Sequence, residues 1–101
     1  MAEVQTRHIV VWGQVQGVGF RNFATLCANN LGLKGWTRNL SAGGVEILIQ
    51  GQVDHLELFI EQIRRGPKHA TVTKLELLEV RKAQIFTNFS RRADGEKKDE
   101  F

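Results

Sequence analysis

Residues 8–31 read HIVVWGQVQGVGFRNFATLCANNL, and the spacing of their apolar side chains changes midway. Over residues 8–14 the pattern alternates, with Ile9 and Val11 on one face and Val10 and Trp12 on the other, as in a strand. Further on, apolar residues recur at three- and four-residue steps, which is typical of an amphipathic helix. This stripe comprises Phe20, Phe23, Ala24, Cys27, Ala28 and Leu31. The pattern predicts a strand, a glycine-rich turn over residues 13–19 and a helix stopped by Gly32.

The strand alternation and the helical spacing recur in the rest of the chain. They predict four elements: strands over residues 34–39 and 45–50, a helix over residues 52–65 and an extended segment over residues 72–80. Residues 41–44 form a hairpin turn, since Gly43 and Gly44 tolerate positive φ. Gly66-Pro67 ends the second helix, because proline cannot continue it.

The pattern is less regular after the second helix. The apolar phase changes between Leu77 and Leu78, which indicates a bulge or a two-sided strand. Ile85, Thr87 and Phe89 predict a last short strand, and we expect residues 1–91 to form the domain and residues 92–101 a charged, frayed tail. The order β-α-β-β-α-β with a short terminal strand predicts an α+β, ferredoxin-like split β-α-β sandwich, with two helices on one face of a mixed, mostly antiparallel sheet.

Composition narrows the class of protein. The 101 residues fit one domain, and 42% hydrophobic with 25% charged residues is ordinary for a globular protein. No apolar run approaches the ~20 residues of a membrane helix, and the first residues do not resemble a secretory signal. Cys27 is the only cysteine, so we expect no internal disulfide, a buried core thiol and a reducing, cytoplasmic location. No unusual apolar surface pattern is present, so we expect a monomer.

The charge pattern permits a nucleic-acid partner without requiring one. The net charge of +3 suits a small anionic ligand, whereas tyrosine is absent and no run of five basic residues occurs. An RNA recognition motif shares this element order, but residues 45–50 carry no aromatic side chain for stacking. His8, His55 and His69 show no metal-ligand spacing. We therefore expect no nucleic acid, no membrane, no metal and no cofactor.

The glycine-rich turn delivers the chain to the start of a helix. Amides there lack intrahelical partners, and the helix dipole favours an anion. Gly17 and Gly19 would let successive amides converge on one anion, and Arg21 could lay its guanidinium across two phosphate oxygens. The turn is neither a Walker loop nor a dinucleotide fingerprint, because the lysine and the third glycine are missing. On spacing alone, an ordinary turn with Arg21 in solvent is the alternative.

Two long motifs resemble those of the acylphosphatase family. The first is Val11-x-Gly13-x-Val15-Gln16-Gly17-Val18-x-Phe20-Arg21, and the second runs from Gly35-Trp36-Thr37-Arg38-Asn39 through Gly43 and Val45 to Gly51. Gly66-Pro67 and Phe86-Thr87-Asn88-Phe89 also look like family features. The resemblance covers about residues 7–91.

This resemblance implies a hydrolase that cleaves acyl phosphates to a carboxylate and inorganic phosphate. The phosphate-binding residues it implies are Gln16, Gly17, Val18, Gly19, Phe20 and Arg21. Asn39 corresponds to the asparagine that orients the water, and the family uses neither a metal nor a covalent phosphoenzyme. The departing carboxylate has a conjugate acid of pKa about 4, so no general acid is needed. Charge neutralisation and a water placed in line are sufficient.

Three positions depart from the family pattern. Ala24 stands where a hydroxyl residue is common, Thr37 where a small aliphatic residue is usual, and Ala42 where an aspartate is frequent. None of them replaces Arg21 or Asn39. A nucleic-acid module and an idle interaction domain are the alternative functions. The physiological substrate is also open, between a small metabolite and a phosphorylated aspartate on another protein.

Overall fold

The computed structural model describes residues 3–82 and 84–95, in which two helices pack against a five-stranded sheet. The elements are β1 (Val4–Gln14), α1 (Phe20–Asn30), β2 (Lys34–Asn39), β3 (Val45–Gln52), α2 (Val53–Arg65), β4 (Thr71–Leu78) and β5 (Phe89–Arg91). The sheet order is β4-β1-β3-β2-β5, with β2 and β5 parallel and the other neighbours antiparallel. The predicted α+β, ferredoxin-like arrangement is confirmed.

Both helices cover the same face of the sheet. Alternate residues of β1 and β3 point into this layer, and Ile9, Val11 and Ile47 are fully buried. The apolar stripe predicted for α1 lies against them, with Phe20 1% exposed and the half-buried Phe23 packed at its margin. Burying one large apolar side chain contributes roughly 1.5–3 kcal/mol. Neither described helix is long and apolar enough to cross a membrane.

Strand direction brings two distant segments to one edge of the sheet. β1 and β2 each pair antiparallel with β3, which lies between them, so they run in the same direction. The register sets Val11 and Asn39 on either side of Val45. The loop after β1, the start of α1 and the last residue of β2 therefore lie at the same edge.

The opposite face of the sheet is also covered. His8 and Trp36 lie there, 2% and 1% exposed, at the level of Leu48. Residues 84–86 lie against this face, since Gln50 Nε2 donates to the Gln84 carbonyl at 2.6 Å and Gln50 Oε1 accepts from Phe86 N at 3.1 Å. Trp36 is thus buried on the side of the sheet away from the helices.

Two details after α2 differ from the prediction. In β4, Trp12 pairs with Lys74 and Gly13 with Val72, so the bulge lies at Thr73 and not among the leucines. The last strand begins at Phe89, whereas Ile85 is 84% exposed. The alternation before Phe89 resembles a strand, but residues 84–86 lie against the far face of the sheet and bond to the Gln50 side chain instead.

The segment expected to fray begins beside β2. Arg92 N donates to the Thr37 carbonyl at 2.8 Å, and Gly95 N donates to the Asn39 carbonyl at 2.9 Å. Ser41 N in turn donates to the Gly95 carbonyl at 2.8 Å. Side-chain periodicity carries no sign of these bonds, because all of them are between main-chain atoms. The rest of the predicted tail, residues 96–101, lies outside the described residues.

Candidate active site

The loop of residues 15–19 leaves the start of α1 open. Gly17 and Gly19 have φ of +74° and +77°, in the left-handed region that favours glycine. A Cβ added at either position would meet nothing within 4 Å. Gly19 is the N-cap, no side chain caps the helix, and its first turn contains no acidic residue. The helix dipole and the first-turn amides are therefore available to an anion.

Gln16 attaches this loop to the β2–β3 turn. Its Nε2 donates to the Leu40 carbonyl at 2.7 Å and to the Gly44 carbonyl at 2.8 Å. Leu40 directly follows Asn39, so these bonds join the glycine-rich loop to the residue beside the expected water-orienting asparagine. The sequence motif predicts only a main-chain role for Gln16, and no local pattern indicates these side-chain bonds.

Arg21 lies in the first turn of α1 and reaches toward the β2 side of the sheet. Its side chain is 29% exposed, and Nη1 lies 3.6 Å from Oδ1 of Asp94, which is 67% exposed. An ion pair this accessible to water is worth about 0–1 kcal/mol. A phosphate dianion can therefore compete with Asp94 for the guanidinium.

Asn39 is the last residue of β2 and is half-buried. It lies opposite Val45 in the register, so its side chain is on the helix-covered face of the sheet. Its carbonyl accepts the bond from Gly95, and the residue before Gly95 is Asp94, the partner of Arg21. Arg21 and Asn39 are thus linked through two consecutive residues.

The other predicted phosphate-binding residues differ in which of their groups a bound phosphate could reach. Phe20 is 1% exposed and Val18 packs at the margin of the core, so only their main-chain amides could meet a ligand. Gln16, Gly17 and Gly19 are exposed at the sheet edge. The structure therefore places all six predicted phosphate-binding residues and Asn39 at one edge.

The three departures from the family pattern lie in different environments. The Thr37 side chain is fully buried, and its Oγ1 donates to the Glu46 carbonyl at 3.0 Å, inside the sheet. Ala24 is fully buried in the core under α1. Ala42 is exposed in the β2–β3 turn.

A buried charged cluster lies on the far face of the sheet. Glu46 is 0% exposed; its Oε2 lies 2.7 Å from His8 Nε2, and its Oε1 accepts from Arg38 Nε at 2.6 Å. Burial by itself raises the pKa of Glu46, but the hydrogen bonds from His8 and Arg38 and the Arg38 charge outweigh burial and hold that pKa below its ordinary value. Arg38 and Arg92 approach the Trp36 ring at 5.3 and 4.6 Å from its centroid. Apolar periodicity could not indicate this cluster.

Cys27 is buried under α1, and burial raises the pKa of its thiol, which disfavours the reactive thiolate. Among residues 3–82 and 84–95, no group of three His, Cys, Asp or Glu side chains could hold a metal ion.

Asp94 is the site residue that sequence analysis missed. It follows Arg91-Arg92 in a segment without periodicity, and only its distance from Arg21 indicates a role. An acidic residue within a basic segment was the one available signal.

Known proteins are similar to this chain in sequence and in structure. The acylphosphatase family model matches residues 7–91. An acylphosphatase from Bordetella parapertussis is 45% identical over 74 residues, 73% of this chain and 79% of the relative. One from Methylococcus capsulatus is 41% identical over 83 residues, 82% of this chain and 90% of the relative. The crystal structure of acylphosphatase from Bacillus subtilis superposes with a TM-score of 0.83 at 36% identity, covering 89% of this chain and 99% of that one.

Proposed function

We propose a mechanism for this chain on the premise that it belongs to the acylphosphatase family and hydrolyses acyl phosphates. In this proposal the main-chain amides of residues 16–20 and the Arg21 guanidinium bind the phosphoryl group, and Asn39 holds the attacking water. One observation supports the proposal: β1 and β2 end at the same edge of the sheet, so the loop that follows β1 and Asn39, the last residue of β2, lie at that edge.

The loop and Arg21 supply the positive potential. Phosphoryl transfer spreads charge over the equatorial oxygens, so fixed donors aimed at those oxygens stabilise the transition state more than the ground state. The uncapped amides of α1 and its dipole contribute partial charges, and Arg21 contributes a full charge in a bidentate geometry. Since Asp94 is exposed, the substrate displaces it from Arg21 at small cost.

Asn39 orients the nucleophile without acting as a base. Its carboxamide oxygen accepts a hydrogen bond from the water, and its NH₂ donates to a neighbouring oxygen, which fixes the water in line with the scissile bond. The proton passes from the water to a phosphate oxygen. The products are a carboxylate and inorganic phosphate, and no general acid is needed because the carboxylate leaves without protonation. The proposal includes neither a covalent intermediate nor a metal, as the resemblance to the acylphosphatase family implies.

The same proposal extends to the setting of the enzyme. We place it in the cytoplasm as a monomer, with an acyl phosphate and inorganic phosphate as its ligands and with no nucleic-acid or membrane partner. The absence of aromatic side chains from β3 supports this choice over an RNA-binding surface.

Hydrolysis of benzoyl phosphate tests the proposal. Arg21→Ala should lower kcat/KM by about 10³-fold or more and Asn39→Ala by about 10²-fold, because each removes an interaction made in the transition state. The exposed Arg81 provides a matched control, and Arg81→Ala should leave turnover unchanged. Circular dichroism should show all three variants folded, and excess EDTA should have no effect.

The outcome separates the alternatives. Full activity in both Arg21→Ala and Asn39→Ala would overturn the mechanism. A wild-type protein that shifts oligonucleotides and leaves benzoyl phosphate intact would be a binding module, and one that does neither would be an idle domain.

A further inference from the structure

The Gln16 side chain makes contacts that the mechanism above does not use. Its single amide nitrogen donates both hydrogens, to the Leu40 carbonyl at 2.7 Å and to the Gly44 carbonyl at 2.8 Å. Both distances are short for N–H···O bonds. A neutral side chain with two donors on one nitrogen is suited to two converging carbonyls.

These two carbonyls are the ones that close the β2–β3 turn. Leu40 N donates to the Gly44 carbonyl at 2.9 Å, and Gly43 N donates to the Leu40 carbonyl at 2.9 Å. Gln16 therefore binds both ends of the turn, at Leu40 and Gly44, and the turn also has hydrogen bonds of its own. Asn39 immediately precedes this turn, so the position of the turn relative to residue 16 also sets the position of Asn39.

Val15 and Val18 pack this loop against the core, and the two Gln16 bonds attach it to the β2–β3 turn. Gly17 and Gly19 are exposed, have positive φ and face open space. No side chain caps the helix that follows. Without the two Gln16 bonds, the loop amides and the Asn39 turn could shift relative to each other.

We propose that Gln16 is a positioning residue whose side chain fixes the distance between the phosphate-binding amides and the water held by Asn39. This inference rests on the proposed function and adds a side-chain role to the main-chain role given above. In this proposal the Gln16 side chain affects the alignment of the water and does not affect the affinity for phosphate. A misplacement of about 1 Å can cost about 10²-fold in rate, so the effect should appear in kcat.

The test is a double-mutant cycle on benzoyl phosphate hydrolysis. Gln16→Met keeps the side-chain length and removes both donors, and it is made in the wild-type and Asn39→Ala backgrounds. In the wild type, kcat should fall between about tenfold and about a hundredfold, while KM and the inhibition constant of inorganic phosphate change less than about threefold. In the Asn39→Ala background the same substitution should change kcat less than about twofold, because no oriented water is left to misplace.

The exposed Gln14, two residues earlier, provides the matched control. Gln14→Met should leave kcat unchanged. Equal losses of kcat for Gln16→Met in both backgrounds, or no loss in the wild type, would overturn the inference. If Arg21→Ala and Asn39→Ala lose turnover while Gln16→Met keeps it, the proposed function stands and only this inference fails.

Gln16→Glu gives a second readout if Gln16→Met folds poorly. An ionised glutamate cannot donate, whereas its protonated carboxyl supplies one O–H donor toward the two carbonyls. Relative to the wild type at each pH, kcat of Gln16→Glu should be low at pH 7 and recover as the pH falls toward 4. A relative kcat that does not vary with pH would contradict the positioning role.

Discussion

Arg21 follows the glycine-rich loop at the start of α1, and its guanidinium lies near the Asp94 carboxylate. Its ion pair with Asp94, at 3.6 Å, joins a partly exposed guanidinium to a mostly exposed acid. The pair orients Arg21 toward the Asn39 side of the site, but the Asp94 carboxylate would repel a phosphate dianion bound to the same guanidinium. The orientation of Arg21 by Asp94 favours phosphate binding and the charge of Asp94 opposes it. Screening by water and salt weakens both electrostatic interactions.

Asp94→Asn should tighten phosphate binding. Removing one like charge from the neighbourhood of the dianion should lower the inhibition constant of inorganic phosphate by about 1.5- to fivefold at low salt, in keeping with the worth of exposed pairs. The gain should shrink at 0.5 M NaCl. Glu79→Gln makes the same charge change at an exposed position and should leave the constant unaltered. Weaker phosphate binding by Asp94→Asn would show instead that orientation of Arg21 outweighs repulsion.

The loop between β1 and α1 depends on a backbone conformation, not on packing. Gly17 has φ of +74° and open space around its missing Cβ, so any cost of a side chain there comes from the left-handed conformation alone. That cost is about 1–2 kcal/mol for most residues and less for asparagine.

Gly17→Ala should therefore weaken phosphate binding and lower the free energy of unfolding by about 1 kcal/mol, while Gly17→Asn should do less of both. Phosphate inhibition constants and urea unfolding of the two variants measure the difference. Two variants that behave alike would place the effect in the side chain and not in the backbone.

At the scale of the whole molecule, a buried charged cluster connects three strands of the sheet. Glu46 of β3 bonds to His8 of β1 and to Arg38 of β2, so it joins the three adjacent strands β1, β3 and β2 on the face away from the helices. Removing one member of a buried ionic cluster leaves uncompensated partners and typically costs about 3–5 kcal/mol.

Glu46→Gln should lower the free energy of unfolding by about 3 kcal/mol at pH 7, measured by urea unfolding. The folded-state pKa of Glu46 is lowered from 4.5, so the unfolded chain binds more protons just below that pH. The stabilisation is therefore complete above pH 4.5 and is lost as the pH falls through the folded pKa. The variant should lose less stability than the wild type on acidification.

The exposed Glu79 serves as the control, and Glu79→Gln should stay within about 0.5 kcal/mol of the wild type. If Glu46→Gln and the wild type lost stability in parallel below pH 4.5, the acid sensitivity would have to arise at other carboxyl groups.

The sequence alone determined the elements and their order. The change of period at residue 20, the turn at residues 41–44 and the stop at Gly66-Pro67 are local signals, and the structure has α1, β2, β3 and α2 within about two residues of the predicted bounds. Arg21 and Asn39 are predicted as site residues from the motifs around them, which are also contiguous stretches of the chain. Local patterns suffice here because propensity, amphipathic period and turn chemistry act over a few residues.

The tertiary structure alone decided which distant residues meet. Gln16 with Leu40, Arg21 with Asp94, and Glu46 with its two partners are contacts between segments remote in sequence. The main-chain hydrogen bonds that join Arg92 and Gly95 to β2, beyond the end of β5, are also contacts between segments remote in sequence. No local period encodes such contacts, because strand order and register place them, and these follow from packing the whole sheet against its helices.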